Sequence, residues 1–132
     1  MKILEWYFFF HHRATLSDVL FRGAPLVSLF SHVEAAGYTV DETWLFFDPQ
    51  SRGTVVSVTH LHDEVEMLLN NRFANARSVW RIASTEDRIR LPVLRPPVFC
   101  VSVCVGLLGW RAYTMRGFEA KLQRNGAERI SW

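Results

Sequence analysis

The sequence predicts a single α+β domain in which a mostly antiparallel sheet packs with three to four helices. Three observations carry that expectation. Strand-length runs of aromatic and β-branched residues recur along the chain. Between and after them lie stretches with apolar residues at helical spacing. Clusters of Gly, Pro, Asn and Asp separate the two kinds of segment.

Taken in order, residues 3–10 are rich in aromatics and read as a first strand. Residues 15–21 form a short helix, capped by Thr15 or Ser17 and stopped by Gly23 and Pro25. Residues 29–38 and 42–48 are two strands joined by a turn at Thr39-Val40-Asp41. Turn chemistry at Asp48-Pro49-Gln50-Ser51-Arg52-Gly53 leads into a third meander strand, 54–58. Thr59 is expected to cap an amphipathic helix with Leu61, Val65, Leu68 and Leu69 on its apolar side and Asp63, Glu64 and Glu66 on or near the other. Residues 78–83 form another strand, and 84–97 a charged, then proline-rich loop. A buried helix spans 98–108 and ends at Gly109. Thr114 caps a last helix through Arg124, stopped by Asn125-Gly126. A short strand, 129–132, closes the order β-α-β-β-β-α-β-α-α-β.

Composition narrows the function classes. A chain of 132 residues fits one domain. With 49% apolar and 14% aromatic residues it is no disordered or low-complexity protein. A net charge of +2 gives no reason to expect nucleic acid or an acidic membrane as partner. Arginine outnumbers lysine, but the arginines are scattered and no basic run appears. The apolar N-terminal run is broken by Glu5 and followed at once by His11-His12-Arg13, so it reads as a strand rather than a signal peptide. The stretch 98–110 is shorter than the roughly 20 residues a membrane helix needs. A cytoplasmic or virion-associated protein is expected.

Two cysteines, Cys100 and Cys104, stand four apart and share a helix face, a geometry unsuited to a disulfide. A reducing compartment is the default. Cys100 follows Pro96-Pro97-Val98-Phe99, so prolines that open the helix put it in the first turn. Backbone N–H groups and the helix dipole there favour a thiolate and offer donors to an oxyanion. The alternative role for Cys100 is a small apolar core residue, which is the expectation for Cys104.

His32, in Leu29-Phe30-Ser31-His32-Val33, is the candidate base; its alternative is a structural strand histidine. A hairpin with a three- or five-residue loop centred on Val40 sets His32 opposite Asp48 on one face, Cβ atoms about 5 Å apart. A carboxylate there fixes the imidazole tautomer and supports its charged form. A two- or four-residue loop would put the two on opposite faces. The simpler role for Asp48 is a turn opener before Pro49.

These segments carry a resemblance. Phe30-Ser31-His32-Val33, then Trp44-Leu45-Phe46-Phe47-Asp48, then Phe99-Cys100-Val101 at a late helix start resembles the permuted NlpC/P60 branch of papain-like cysteine hydrolases, over residues 22–124. In that branch the histidine strand precedes the cysteine helix and a polar third residue follows on the next strand. The resemblance implies a papain-like fold, Cys100 as nucleophile, His32 as base and Asp48 as orienting residue; separately, no cofactor and no metal are expected. It implies substrates with amide or ester bonds, among them peptidoglycan peptides, ubiquitin-like linkages and lipid acyl groups. The strongly apolar neighbours of Cys100 depart from the polar patch common in the family, which leaves a degenerate relative open.

Other clusters suggest less. His60 and His62 are two apart and do not share a helix face, and His60 with Glu64 lacks the further ligands zinc needs. His11-His12-Arg13 reads as a polar loop. Two further function classes stand beside the hydrolase. One is a non-catalytic structural or interaction protein of a phage or bacterial assembly, docking through an exposed aromatic face of the first strand and through Trp132. The other is a nucleic-acid-binding module, motivated only by the arginine excess.

Overall fold

The computed structural model describes residues 2–12, 16–23, 32–50, 53–84, 100–112 and 114–132. Strands and helices follow in the expected order: β1 (Ile3–His11), α1 (Leu16–Phe21), β2 (Val33–Thr39), β3 (Trp44–Gln50), β4 (Gly53–Thr59), α2 (His62–Asn75), β5 (Ala76–Ala83), α3 (Cys100–Leu107), α4 (Met115–Arg124) and β6 (Glu128–Ile130). The expected cap at Thr15 and most of the 84–97 loop lie outside the described residues.

The six strands form one sheet in the order β4-β3-β2-β1-β5-β6, and every bonded neighbour is antiparallel. β1 lies inside the sheet, bonded to β2 on one side and β5 on the other. Both of its faces are covered. Trp6, Phe8 and Phe10 point into a core shared with α3 and α4, while Phe9 points into a second core on which α2 packs. This is why β1 is apolar at consecutive positions: a strand buried on both sides needs no polar alternation.

The covering corrects an expectation. An exposed aromatic face on the first strand is absent, since Trp6, Phe8, Phe9 and Phe10 are all buried. Phe118 of α4 meets Phe8 edge-on at 5.0 Å and tilts against Phe10 at 5.4 Å. On the opposite face Phe73 of α2 meets Phe9 edge-on at 5.2 Å. Edge-to-face pairs of this kind add about 0.5–1.5 kcal/mol beyond area burial. Trp6 lies across its cross-strand neighbour Gly37, where a Cβ would come within 2.8 Å of the indole. Glycine is required there by the close approach of the ring.

The helices are held by local chemistry. Thr114 caps α4 as expected, accepting from the Gly117 N–H at 3.0 Å. Glu119 then ties α4 to β5, accepting from Arg77, from Ser78 Oγ at 3.1 Å and from Trp80 Nε1 at 3.1 Å. Thr59 does not cap α2, which begins later, after Leu61. Its hydroxyl accepts from the Leu61 N–H at 3.2 Å and donates to Glu64 at 3.1 Å. Leu61, expected on the apolar face, is 58% exposed because it precedes the helix, whereas Val65 is buried and Leu68 and Leu69 pack on the sheet. Among the described residues no helix is long and apolar enough to cross a membrane.

Candidate active site

Three strands and one helix bring their ends together at one end of the sheet. β1 finishes at His11, β2 starts just after His32, β3 runs out past Asp48, and α3 opens with Cys100. The His11 N–H donates to the His32 carbonyl at 2.9 Å, extending the β1–β2 ladder by one rung. That rung fixes His32 although it precedes the strand proper.

The β2–β3 hairpin turns through Val40-Asp41-Glu42, one residue later than expected. The Thr39 N–H donates to the Thr43 carbonyl at 3.0 Å, the Glu42 N–H donates to the Thr39 carbonyl at 3.2 Å, and Glu42 takes the left-handed conformation at φ 62°. A three-residue loop with a left-handed third position is a common hairpin closure. The pairs run from Tyr38↔Trp44 to Ala35↔Phe47. Continued by one step, this register sets Glu34, not His32, directly opposite Asp48. The direct His32–Asp48 pairing expected from a loop centred on Val40 is therefore corrected to a diagonal one. Moving the loop centre by one residue shifts the pairing by two, which preserves the face. His32 and Asp48 still meet: His32 Nε2 donates to Asp48 Oδ1 at 2.9 Å.

Cys100 joins them from the other side. As the first residue of α3 it reaches the His32 ring and hydrogen-bonds it. One turn on, Cys104 is fully buried in the apolar core as expected, its thiol 3.7 Å from the Val33 carbonyl. Burial holds the Cys104 thiol well above its ordinary pKa. Neither cysteine is in a disulfide. The three residues singled out in the sequence thus touch in series, Cys100 to His32 to Asp48, although α3 lies far along the chain from the hairpin.

Burial alone would push the proton off His32. The hydrogen bond to Asp48, the contact with Cys100 and the charge of Glu34 together outweigh it and raise the imidazole pKa to about 10. The His32 and Asp48 side chains keep 24% and 26% of their surface, so solvent and small molecules can reach the pair.

Three neighbours lie beyond the sequence expectation. His11 is nine-tenths buried, not a polar loop residue, and its ring stacks on that of His32 at 5.6 Å. Its Nε2 is hydrogen-bonded to Glu34 Oε2. Arg72 of α2 approaches Glu34 Oε1 at 3.4 Å and lies over the Phe46 ring. Glu34 is readable in principle, since two residues after His32 on a strand is the same face. Arg72 is not, because nothing local says which turn of α2 crosses this end of the sheet.

The other histidines stay apart from the cluster. His62 is exposed and pairs only loosely with Glu66, 3.9 Å away across one helical turn, and His60 is exposed just before α2. His12 is also exposed, its backbone N–H donating to the Asn75 carbonyl at 3.1 Å.

Comparison of the chain with protein-family models, with curated proteins and with solved structures finds no match.

Proposed function

We propose that this chain is a papain-like thiol hydrolase, with Cys100 as nucleophile, His32 as general base and acid, and Asp48 as the residue that orients His32. The observation that carries the reading is the contact series Cys100–His32–Asp48, assembled from a helix start and two strand ends. A nucleophile touching a base that a third group orients is the arrangement acyl transfer needs.

The chemistry follows from those contacts. His32 Nε2 is committed to Asp48, which leaves Nδ1 for proton exchange with the thiol. The Cys100 sulfur attacks the carbonyl carbon of an amide or ester, and the carbonyl oxygen takes up negative charge. Backbone N–H groups in the first turn of α3 have no partner inside the helix and can receive that oxyanion. Protonated His32 then delivers its proton to the departing amine or alkoxide as the C–N or C–O bond breaks. Water, deprotonated by His32, cleaves the remaining thioester and returns the thiol. No cofactor is required.

The test is hydrolysis of a panel of amide and ester probes by the wild-type chain and by Cys100→Ala. Turnover of at least one probe that disappears in a folded Cys100→Ala variant supports the reading. Undiminished turnover in that variant overturns it.

A second reading is a non-catalytic structural or interaction protein of a phage or bacterial assembly, a degenerate relative of the same fold. One observation favours it. Edge strand β4 exposes Val55, Val56 and Val58, and α1 exposes Leu16, Leu20 and Phe21, the last at 83%. An uncharged β-branched edge is a surface that other chains pair with. Sedimentation of the purified chain separates the readings: a stable higher oligomer with no probe turnover favours assembly, an active monomer the hydrolase.

A further inference from the structure

The polar cluster contains more ligand chemistry than a thiol hydrolase uses. His32, Glu34 and Asp48 each offer one ligand atom, and these atoms all lie within 4.8 Å of one another. Two come from same-face positions at the start of β2 and the third from β3, so the strands hold them in place.

We propose that His32, Glu34 and Asp48 form a binding site for a divalent cation of the zinc class. One imidazole and two carboxylates suit zinc, whose three-ligand sites leave a fourth position open. Ligand atoms about 2.0–2.1 Å from a tetrahedral ion stand roughly 3.3 Å from each other. His32 Nε2 and Asp48 Oδ1, now 2.9 Å apart, need to open by only a fraction of an ångström to admit the ion between them. Glu34 closes the third corner by a side-chain adjustment.

The surroundings resemble the outer shell of a metal site. Glu34 is held by His11 at one oxygen and by Arg72 at the other, and each carboxylate oxygen retains a second lone pair for the ion. Hydrogen-bonded carboxylates of this kind orient ligands and tune affinity. His11 Nδ1 is buried without a hydrogen-bond partner among the described residues. Arg72 opposes the ion's charge, but two carboxylates with one neutral imidazole balance a divalent cation by themselves.

Occupancy has a consequence for catalysis. An ion on His32 Nε2 displaces the proton there and leaves the ring's one remaining proton on Nδ1, which then has no lone pair to accept the thiol's, so metal and turnover exclude each other. That consequence, unlike the binding itself, rests on the hydrolase reading.

The experiment is equilibrium dialysis of the chelator-stripped full chain against zinc chloride, with bound metal measured directly and folding followed by circular dichroism. About one ion per chain is expected. Affinity should fall at least about tenfold in Asp48→Asn and in Glu34→Gln, and persist in Cys100→Ser. Cobalt(II) in the wild-type chain should give visible d–d bands without a sulfur-to-cobalt charge-transfer band, a readout independent of any variant. Absence of stoichiometric zinc, wild-type affinity in both carboxylate variants, or a strong sulfur charge-transfer band would overturn the assignment. Failure of probe hydrolysis with zinc binding intact would remove the hydrolase and leave the metal site.

Discussion

The two faces of the sheet solve different problems at the same end of the molecule. Toward α3 and α4 the interior is dry: Trp6, Phe8, Phe10, Phe47 and Phe118 fill it, and Cys104 behaves as one more apolar side chain. Toward α2 the apolar packing of Phe9, Phe46 and Phe73 gives way at the strand ends to His11, Glu34, Arg72 and Asp48. His32 belongs to the second group, and Cys100 reaches it from the first turn of a helix that lies on the first face. A single turn of α3 therefore separates a thiol in contact with a histidine from a thiol sealed in hydrocarbon. Chemistry is concentrated where the strands run out, because buried charges survive only when paired and partly wet.

The largest expected effect separates those two thiols. Cys100→Ala should lower probe turnover by about a thousandfold or more, equivalent to at least about 4 kcal/mol of transition-state stabilisation. Cys104→Ala should leave turnover intact and cost about 1–2 kcal/mol of stability through a small cavity. Comparable loss of turnover in both variants, with both folded, would erase the contrast.

Next in size is the dry face itself. Phe118→Ala removes a ring that touches both Phe8 and Phe10, and it should destabilise the chain by about 3–5 kcal/mol in denaturant unfolding. Gly37→Ala should cost about 1–3 kcal/mol, since Trp6 must shift to admit the methyl group.

The wet face should show in pH dependence. His32 is raised from 6.5 to about 10 in the folded chain, so its contribution to stability is complete below pH 6.5 and is lost as pH rises through 10. Unfolding free energy should fall by a few kcal/mol across that window, with a slope of at most about 1.4 kcal/mol per pH unit. His32→Gln should remove this part of the slope, while Phe118→Ala should lower the whole curve and keep its shape. Iodoacetamide labelling sharpens the same point: at pH 7 it should modify Cys100 and spare Cys104, and His32→Ala should slow it about tenfold.

The smallest expected effect tests the exposed N-terminal cap of α4. Thr114→Ala removes the α4 cap and should cost about 1 kcal/mol. It should leave labelling of Cys100 unchanged.

Much of this was legible locally. The β-branched run 54–58, the Thr114 cap and the Asn125-Gly126 stop act over a few residues, so sequence alone places β4 and both ends of α4. The shared face of His32 and Asp48 was legible only in part: face depends on whether the register shift is odd or even, and a two- or four-residue loop would have put the two on opposite faces. The register itself was not, because the turn could centre on Val40 or Asp41, and the choice rests on Glu42 accepting a left-handed conformation. Thr59 illustrates the limit of capping rules, since it bonds Leu61 and Glu64 yet leaves the helix start to the residue after Leu61.

What the sequence by itself determined is the order of strands and helices, the burial of Cys104 and the chemical types available for a site. These follow from periodicity, turn residues and hydrophobicity, which act within one or two turns of chain. Only the tertiary structure decided that β1 is covered on both faces, since that depends on helices from distant parts of the chain packing on opposite sides of one strand. It likewise decided that Cys100 meets His32 and that Glu34 lies between His11 and Arg72. Contacts between remote segments are set by how whole elements pack, and no local pattern encodes which ends will meet.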